Sequence, residues 1–204
     1  MVLPSSEKPV PGRPRDPAID ATVIAATRQL LEEAGFAGTT VQEISRRTGV
    51  HPPGIYRRWP SRIALIEDAT FGDLATLSVD PTGDLAADLL RFVIAYEANF
   101  NTPACRAAMP GLLAAYGSQG EVTAERWVHL SVRPAFAAIL AASDEGDPTL
   151  DIDAAFDVLL SLVLARVIIP PVWRAGRPIG HVVDILLRVI RPPSPGQWDF
   201  LKDR

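Results

Sequence analysis

Cysteine is nearly absent: the 204 residues include one, Cys105. No disulfide can form within the chain, so a reducing cytoplasm is the expected compartment and Cys105 reads as a small core residue. Lysine is almost as scarce, with only Lys8 and Lys202, so nearly every cation is an arginine. No apolar run is long enough to span a bilayer. The best candidate, Val158 to Val172, is interrupted by Arg166, Pro170 and Pro171. The first ten residues, MVLPSSEKPV, lack an apolar h-region, so no signal peptide is expected. The three histidines, His51, His129 and His181, are too dispersed to suggest a zinc site. There is no G-x-S-x-G, P-loop, G-x-G-x-x-G or H-E-x-x-H motif, so no catalytic set, cofactor or metal is expected. The acidic group Asp144, Glu145, Asp147, Asp151 and Asp153 lacks calcium-loop spacing and reads as a solvated loop.

What is present is the balance of a soluble globular protein, 48% apolar and 22% charged, which excludes disorder of the whole chain. The length allows one or two domains, burying roughly 70% of the extended surface. The net charge of −4 hides an asymmetry. Residues 1–62 carry nine Lys/Arg against six Asp/Glu, a net +3, and the rest of the chain carries −7. A basic N-terminal module for a polyanion, attached to an acidic body with another task, accounts for this; so does an ordinary solvated imbalance.

The periodicity predicts helices and no strands. Residues 1–16 form a proline-rich basic arm. Asp16-Pro17 reads as an N-cap followed by proline at the first helical position. Ile19, Val23, Ala26, Leu30, Leu31 and Ala34 make one helical stripe, which Gly35 is placed to end. Thr40 to Glu43 has the form of a capping box. The helix it starts runs to about Arg47, and Thr48-Gly49 reads as a turn. His51-Pro52-Pro53 opens another short helix that must end at Trp59, before Pro60. Ser61 caps a fourth, through about Leu77. Helices of about two turns are unstable alone in water, so these are held by packing. Short helix, glycine turn, short helix is a helix-turn-helix signature, here over about residues 40–59. Further helices are predicted at 84–100, 103–117, 121–143, 151–169 and 178–190, with a tail over 192–204. The fold class is therefore all-α.

Thr39-Thr40-Val41, Ile44, Gly49-Val50, Ile55-Tyr56, Trp59, Arg62 and Leu65 resemble the DNA-binding domain of TetR-family transcriptional regulators. The resemblance covers about residues 17–77, and Gly12 to Arg15 is similar to the arm of many members. The stretch Ile55-Tyr56-Arg57-Arg58-Trp59-Pro60-Ser61-Arg62 is close to the version found in an actinobacterial branch. The resemblance implies a three-helix DNA-binding head and, over 81–191, a helical ligand-binding and dimerisation body. It further implies a cytoplasmic homodimer on a palindromic double-stranded operator, repression as the commoner mode, and release by a small effector.

Each candidate DNA contact has a physical basis. Thr40 caps a helix N-terminus suited to phosphate. His51 opens the recognition helix, whose first residues meet base edges. Tyr56 is expected to donate to phosphate, as the matching tyrosine does in the family, with core packing as the alternative. Arg57 and Arg58 suit phosphate or guanine, and Arg62 stands where the family usually has a backbone-contacting lysine; the alternative for all three is a solvated face. Arg13 and Arg15 suit a narrow minor groove. Trp59 reads as core. Pro52, Pro53 and Gly54 bring no hydrogen-bonding side chains, so shape readout should carry more of the specificity. His51→Ala should therefore relax sequence preference, and Arg62→Ala should weaken binding evenly.

In the body, Phe92, Tyr96, Phe100, Met109, Leu113, Tyr116 and Trp127 are candidates for an apolar effector pocket, with ordinary core as the alternative. Phe136, Ile139, Leu140, Phe156, Leu160, Val163, Leu164 and Val167 are candidates for the dimer interface, again with core as the alternative. Two other functions stay open: a helical interaction module that has lost specific DNA binding, and an enzyme without a recognisable motif.

Overall fold

The computed structural model describes residues 16–119, 132–169 and 178–191. In chain order the helices are α1 (Pro17–Gly38), α2 (Val41–Thr48), α3 (Pro52–Tyr56), α4 (Arg62–Phe71), α5 (Leu85–Phe100), α6 (Pro103–Gln119), α7 (Arg133–Ala141), α8 (Ile152–Ile168) and α9 (Gly180–Ile190). A 3-10 turn, Gly72–Thr76, follows α4. No strand occurs among the described residues, so the chain is all-α there.

Local chemistry sets most helix starts. Asp16, Thr40, Ser61, Asp84 and Asp151 each occupy an N-cap and accept from a backbone N–H of the first turn. A side-chain oxygen there meets donors that have no carbonyl within the helix. Asp88 does a similar task in a connection. Burial pushes its pKa up, but the Thr82 hydroxyl and amide, the Gly83 amide and Arg91 together hold it below the usual value.

Three boundaries differ from the sequence expectation. Gly35 does leave helical geometry, with φ of 67° and ψ of −174°, but a short helical turn resumes and runs to Gly38. Helix α3 stops at Tyr56; past it, the Trp59 N–H still donates to the Ile55 carbonyl at 3.0 Å. The fourth helix stops at Phe71 and tightens into the 3-10 turn instead of running to Leu77. The predicted helix 121–143 is seen as α7 only from Arg133, since 120–131 lie outside the described residues.

Among the described residues two apolar cores form. The smaller gathers Val23, Leu30, Val41, Ile44, Ile55, Trp59, Ala64 and Leu65 from α1 to α4 and the turn before α4. The larger joins α5 to α9, and also takes Leu31 from α1 and Ile66 and Phe71 from α4. Helices α1 and α4 thus bury one face in each core, and both pack directly on α6.

The larger core takes up residues named for the pocket and for the interface. Phe92, Tyr96, Phe100 and Met109 are buried to within 3% and lie in the interior of the body. Their rings form a network with Phe71, Phe136 and Phe156, including an edge-on Tyr96–Phe100 pair at 5.1 Å. Leu113 is exposed and Tyr116 half-buried, while Trp127 lies outside the described residues. Of the proposed interface, Phe136, Ile139, Phe156 and Val163 are interior. Leu140, Leu160, Leu164 and Val167 are only partly buried. Cys105 is buried too, and burial pushes its thiol up to about 12, where it is inert.

Candidate nucleic-acid interface

The helix-turn-helix is built from α2, a turn at Gly49 and α3. Gly49 adopts φ of 71° and ψ of 2°, a left-handed conformation that residues with a Cβ avoid, so the chain reverses within one residue. The Thr40 hydroxyl accepts from the Glu43 N–H at 3.2 Å, which is half of the expected capping box. The other half is absent. The Thr40 N–H donates to the Gly38 carbonyl, and the Glu43 carboxylate turns to Arg46 and Arg47 instead.

Glu43 is the centre of a surface ion network. Arg46 reaches it at 2.6 Å and Arg47 at 3.2 Å, and Arg47 also pairs with Glu33 at 2.7 Å. The hydrogen bonds from Arg46 and then Arg47 hold the Glu43 carboxyl down at about 2, against an ordinary 4.5. The stabilisation is complete above 4.5 and is lost as pH falls toward 2. Glu43→Gln is expected to flatten the acid limb of urea midpoint against pH in that window. An unchanged limb would show that these exposed pairs contribute nothing.

Four candidate contacts reach solvent. His51, the residue before α3, is exposed, and its carbonyl accepts from Gly54 and Ile55. Tyr56 is 48% exposed at the end of α3, which answers the core alternative for this ring. Arg57 beside it is exposed, and Thr40 is half-exposed. Arg13 and Arg15 fall outside the described residues.

Arg58 and Arg62 are drawn toward partners within the protein. The Arg58 side chain is 6% exposed, pairs with Asp20 on α1 and donates to the Gly54 carbonyl at 3.2 Å. The Arg62 Nη1 group donates to the carbonyls of Phe36 (2.7 Å) and Thr39 (3.1 Å), and its guanidinium lies 4.3 Å from the Phe36 ring centroid. Arg62 therefore ties α4 to the turn that precedes α2. Trp59 is core, as expected, and its indole N–H donates to Asp68 at 2.7 Å. Asp20, Phe36 and Asp68 are the site residues that sequence reasoning missed. Each partner is distant along the chain or carries no motif of its own.

Among the described residues no group of His, Cys, Asp and Glu could hold a metal, and no helix is long and apolar enough to cross a membrane.

The tetR family of bacterial regulatory proteins matches residues 23–69, and the tetracyclin repressor-like C-terminal domain matches residues 79–185. An uncharacterized HTH-type transcriptional regulator of Mycobacterium tuberculosis is 34% identical over 84 residues, 39% of this chain and 42% of that protein. The regulator YdeS of Bacillus subtilis, also uncharacterized, is 37% identical over 81 residues, 39% of this chain and 40% of that protein. These alignments thus span about two fifths of each curated relative. Among solved structures, the TetR family transcription regulator SCO0332 superposes with a TM-score of 0.64 at 27% identity, over 85% of this chain and 99% of that one. The structure of BioQ with its double-stranded DNA operator shares the fold, with a TM-score of 0.51 at 20% identity over 82% of this chain and 97% of that one. With a glycine-turned helix pair at one end and a second matching domain over more than half its length, the chain belongs to the TetR family of bacterial regulatory proteins.

Proposed function

We propose that this protein is a cytoplasmic transcriptional repressor that binds a palindromic operator as a homodimer and is released by a small, mostly apolar effector. One observation carries the reading: α2 and α3, joined through Gly49, present Thr40, His51, Tyr56 and Arg57 outward while Ile44, Ile55 and Trp59 anchor them from below. Residues 17–77 are the reading head and 81–191 the body. The Ile55-to-Arg62 motif supports reading the head as the actinobacterial-type variant. Arg13 and Arg15 remain minor-groove candidates by the charge of the arm.

The head works by division of labour. Thr40 sits where free N–H groups and the helix dipole favour a phosphate. Tyr56 and Arg57 add a hydroxyl and a cation to the same outward surface. Base readout falls to His51 and neighbours, since Pro52, Pro53 and Gly54 offer no side-chain donors. Arg58 and Arg62 hold the surface in shape without touching the nucleic acid.

One such head reads too few base pairs for genomic selectivity, and a two-fold pair reads two half-sites about 34 Å or a multiple apart. The interface is assigned to α8 and α9. Ile168, Ile169, Ile185 and Val189 are exposed there, beside the half-buried Leu160, Leu164 and Val167. Large apolar side chains clustered at the surface mark a contact face. The sequence expectation for the interface, 121–143 with 151–169, covers α7 and α8 and does not include α9.

The test is selection of duplexes from a random pool by the full-length protein, followed by titration at several salt concentrations. Arg57→Ala is expected to weaken binding evenly across sequences and to reduce the salt slope by about one. A variant with the wild-type slope would remove Arg57 from the interface. If no duplex is preferred over random competitor, the reading fails and a helical interaction module takes its place.

A further inference from the structure

We propose that Phe36 is a positioning residue that sets where the phosphate-facing start of α2 stands relative to the body. The inference rests on the DNA-binding reading and deepens it. Phe36 follows Gly35, whose positive φ turns the chain out of the path of α1. Although it belongs to a head helix, the ring packs against the body's core and not the head's. Its seat is Gly111 on α6. A methyl group on Gly111 would fall within the Phe36 ring, so the glycine is what lets the ring lie against the α6 backbone.

The same ring is held by Arg62, 4.3 Å from its centroid. Arg62 also bonds the carbonyls of Phe36 and Thr39, at 2.7 and 3.1 Å. The residue after Thr39 is Thr40, whose hydroxyl caps α2. An unbroken series of close contacts therefore runs from the α6 backbone through the ring and the guanidinium to the cap. Packed interiors pass on a displacement instead of absorbing it, because few voids exist to take it up. Arg28, which bonds the Ala69 carbonyl and Asp73, ties α1 to α4 elsewhere but reaches neither α2 nor α6. A ring that merely filled space would affect stability, with no effect on the geometry of α2.

The experiment uses the full-length chain and, as probe, a duplex that the wild-type protein selects from a random pool. Gly111→Ala is expected to weaken binding about tenfold and to speed amide exchange over residues 39–43, with the oligomeric mass unchanged. Phe36→Leu in the Gly111→Ala background makes room for the new methyl group and is expected to recover most of both losses. Wild-type affinity and exchange in Gly111→Ala, or losses that simply add in the double variant, would overturn the proposal. Should Gly111→Ala not fold, Phe36→Leu alone is expected to weaken binding and speed exchange at the Glu43 amide; no change in either overturns it. If the wild-type protein prefers no duplex, the DNA-binding reading is what fails, and the exchange measurements still decide whether Phe36 positions α2.

Discussion

Arg58→Ala is expected to destabilise the protein by about 2 kcal/mol, because it leaves Asp20 and the Gly54 carbonyl without their partner in a part-buried site. The Arg58 side chain is 6% exposed and Asp20 is 33% exposed, so the loss falls below what breaking a fully buried pair costs. Operator binding should fall with it, since Gly54 sits in the middle of the recognition helix. The distinguishing readout is salt. A phosphate contact, when removed, lowers the salt slope by about one; a buried brace leaves the slope of the folded fraction unchanged. Urea unfolding at neutral pH, paired with binding at three ionic strengths, separates the two. A variant with wild-type stability and a reduced slope would return Arg58 to the DNA surface.

The second large effect concerns assembly. Placing a carboxylate in the α8–α9 face through Ile168→Asp with Ile185→Asp is expected to split the dimer at micromolar concentration. Each charge would have to be stripped of water to re-form the contact, a cost of several kcal/mol per ion. Operator affinity should then drop by at least about two orders of magnitude, because a lone head keeps only one half-site's worth of free energy. Sedimentation of the double variant and titration with the selected duplex check both statements. A double variant that still sediments as a dimer would move the interface off these helices. Both positions are exposed in the single chain, so the fold itself should tolerate the change.

The contrast between what the sequence discloses and what it hides follows from range. Caps at Asp16, Thr40 and Ser61 are legible because donor and acceptor lie within three residues of each other. The Gly49 turn and the burial of Trp59 are legible for the same reason: the local pattern of glycine, apolar spacing and following proline specifies them. The partners of Arg58 and Arg62 are not legible because a cation's destination depends on what the fold brings near it. Asp20 is 38 positions from Arg58, and the two carbonyls that Arg62 meets are 26 and 23 positions away. Glu43 misled on a finer scale. Its reach back to Thr40 competes with two arginines three and four positions on, and charge-assisted bonds win over a neutral amide. In the body, the aromatic spacing on α5 fits a pocket wall and a core layer equally. The packing of Phe136 and Phe156 against these rings comes from helices distant in the chain, so no local pattern discloses it.

Because α1 and α4 each bury one face in the head's core and the other in the body's, the two halves are not interchangeable parts. A graft of residues 17–77 onto a relative's body would expose Leu31 and Ile66 to an unfamiliar neighbour and would need a glycine opposite Phe36. Exchanging specificity between members of this kind therefore calls for transplanting the outward residues of α2 and α3 one by one, leaving the inward sides of α1 and α4 with their native host.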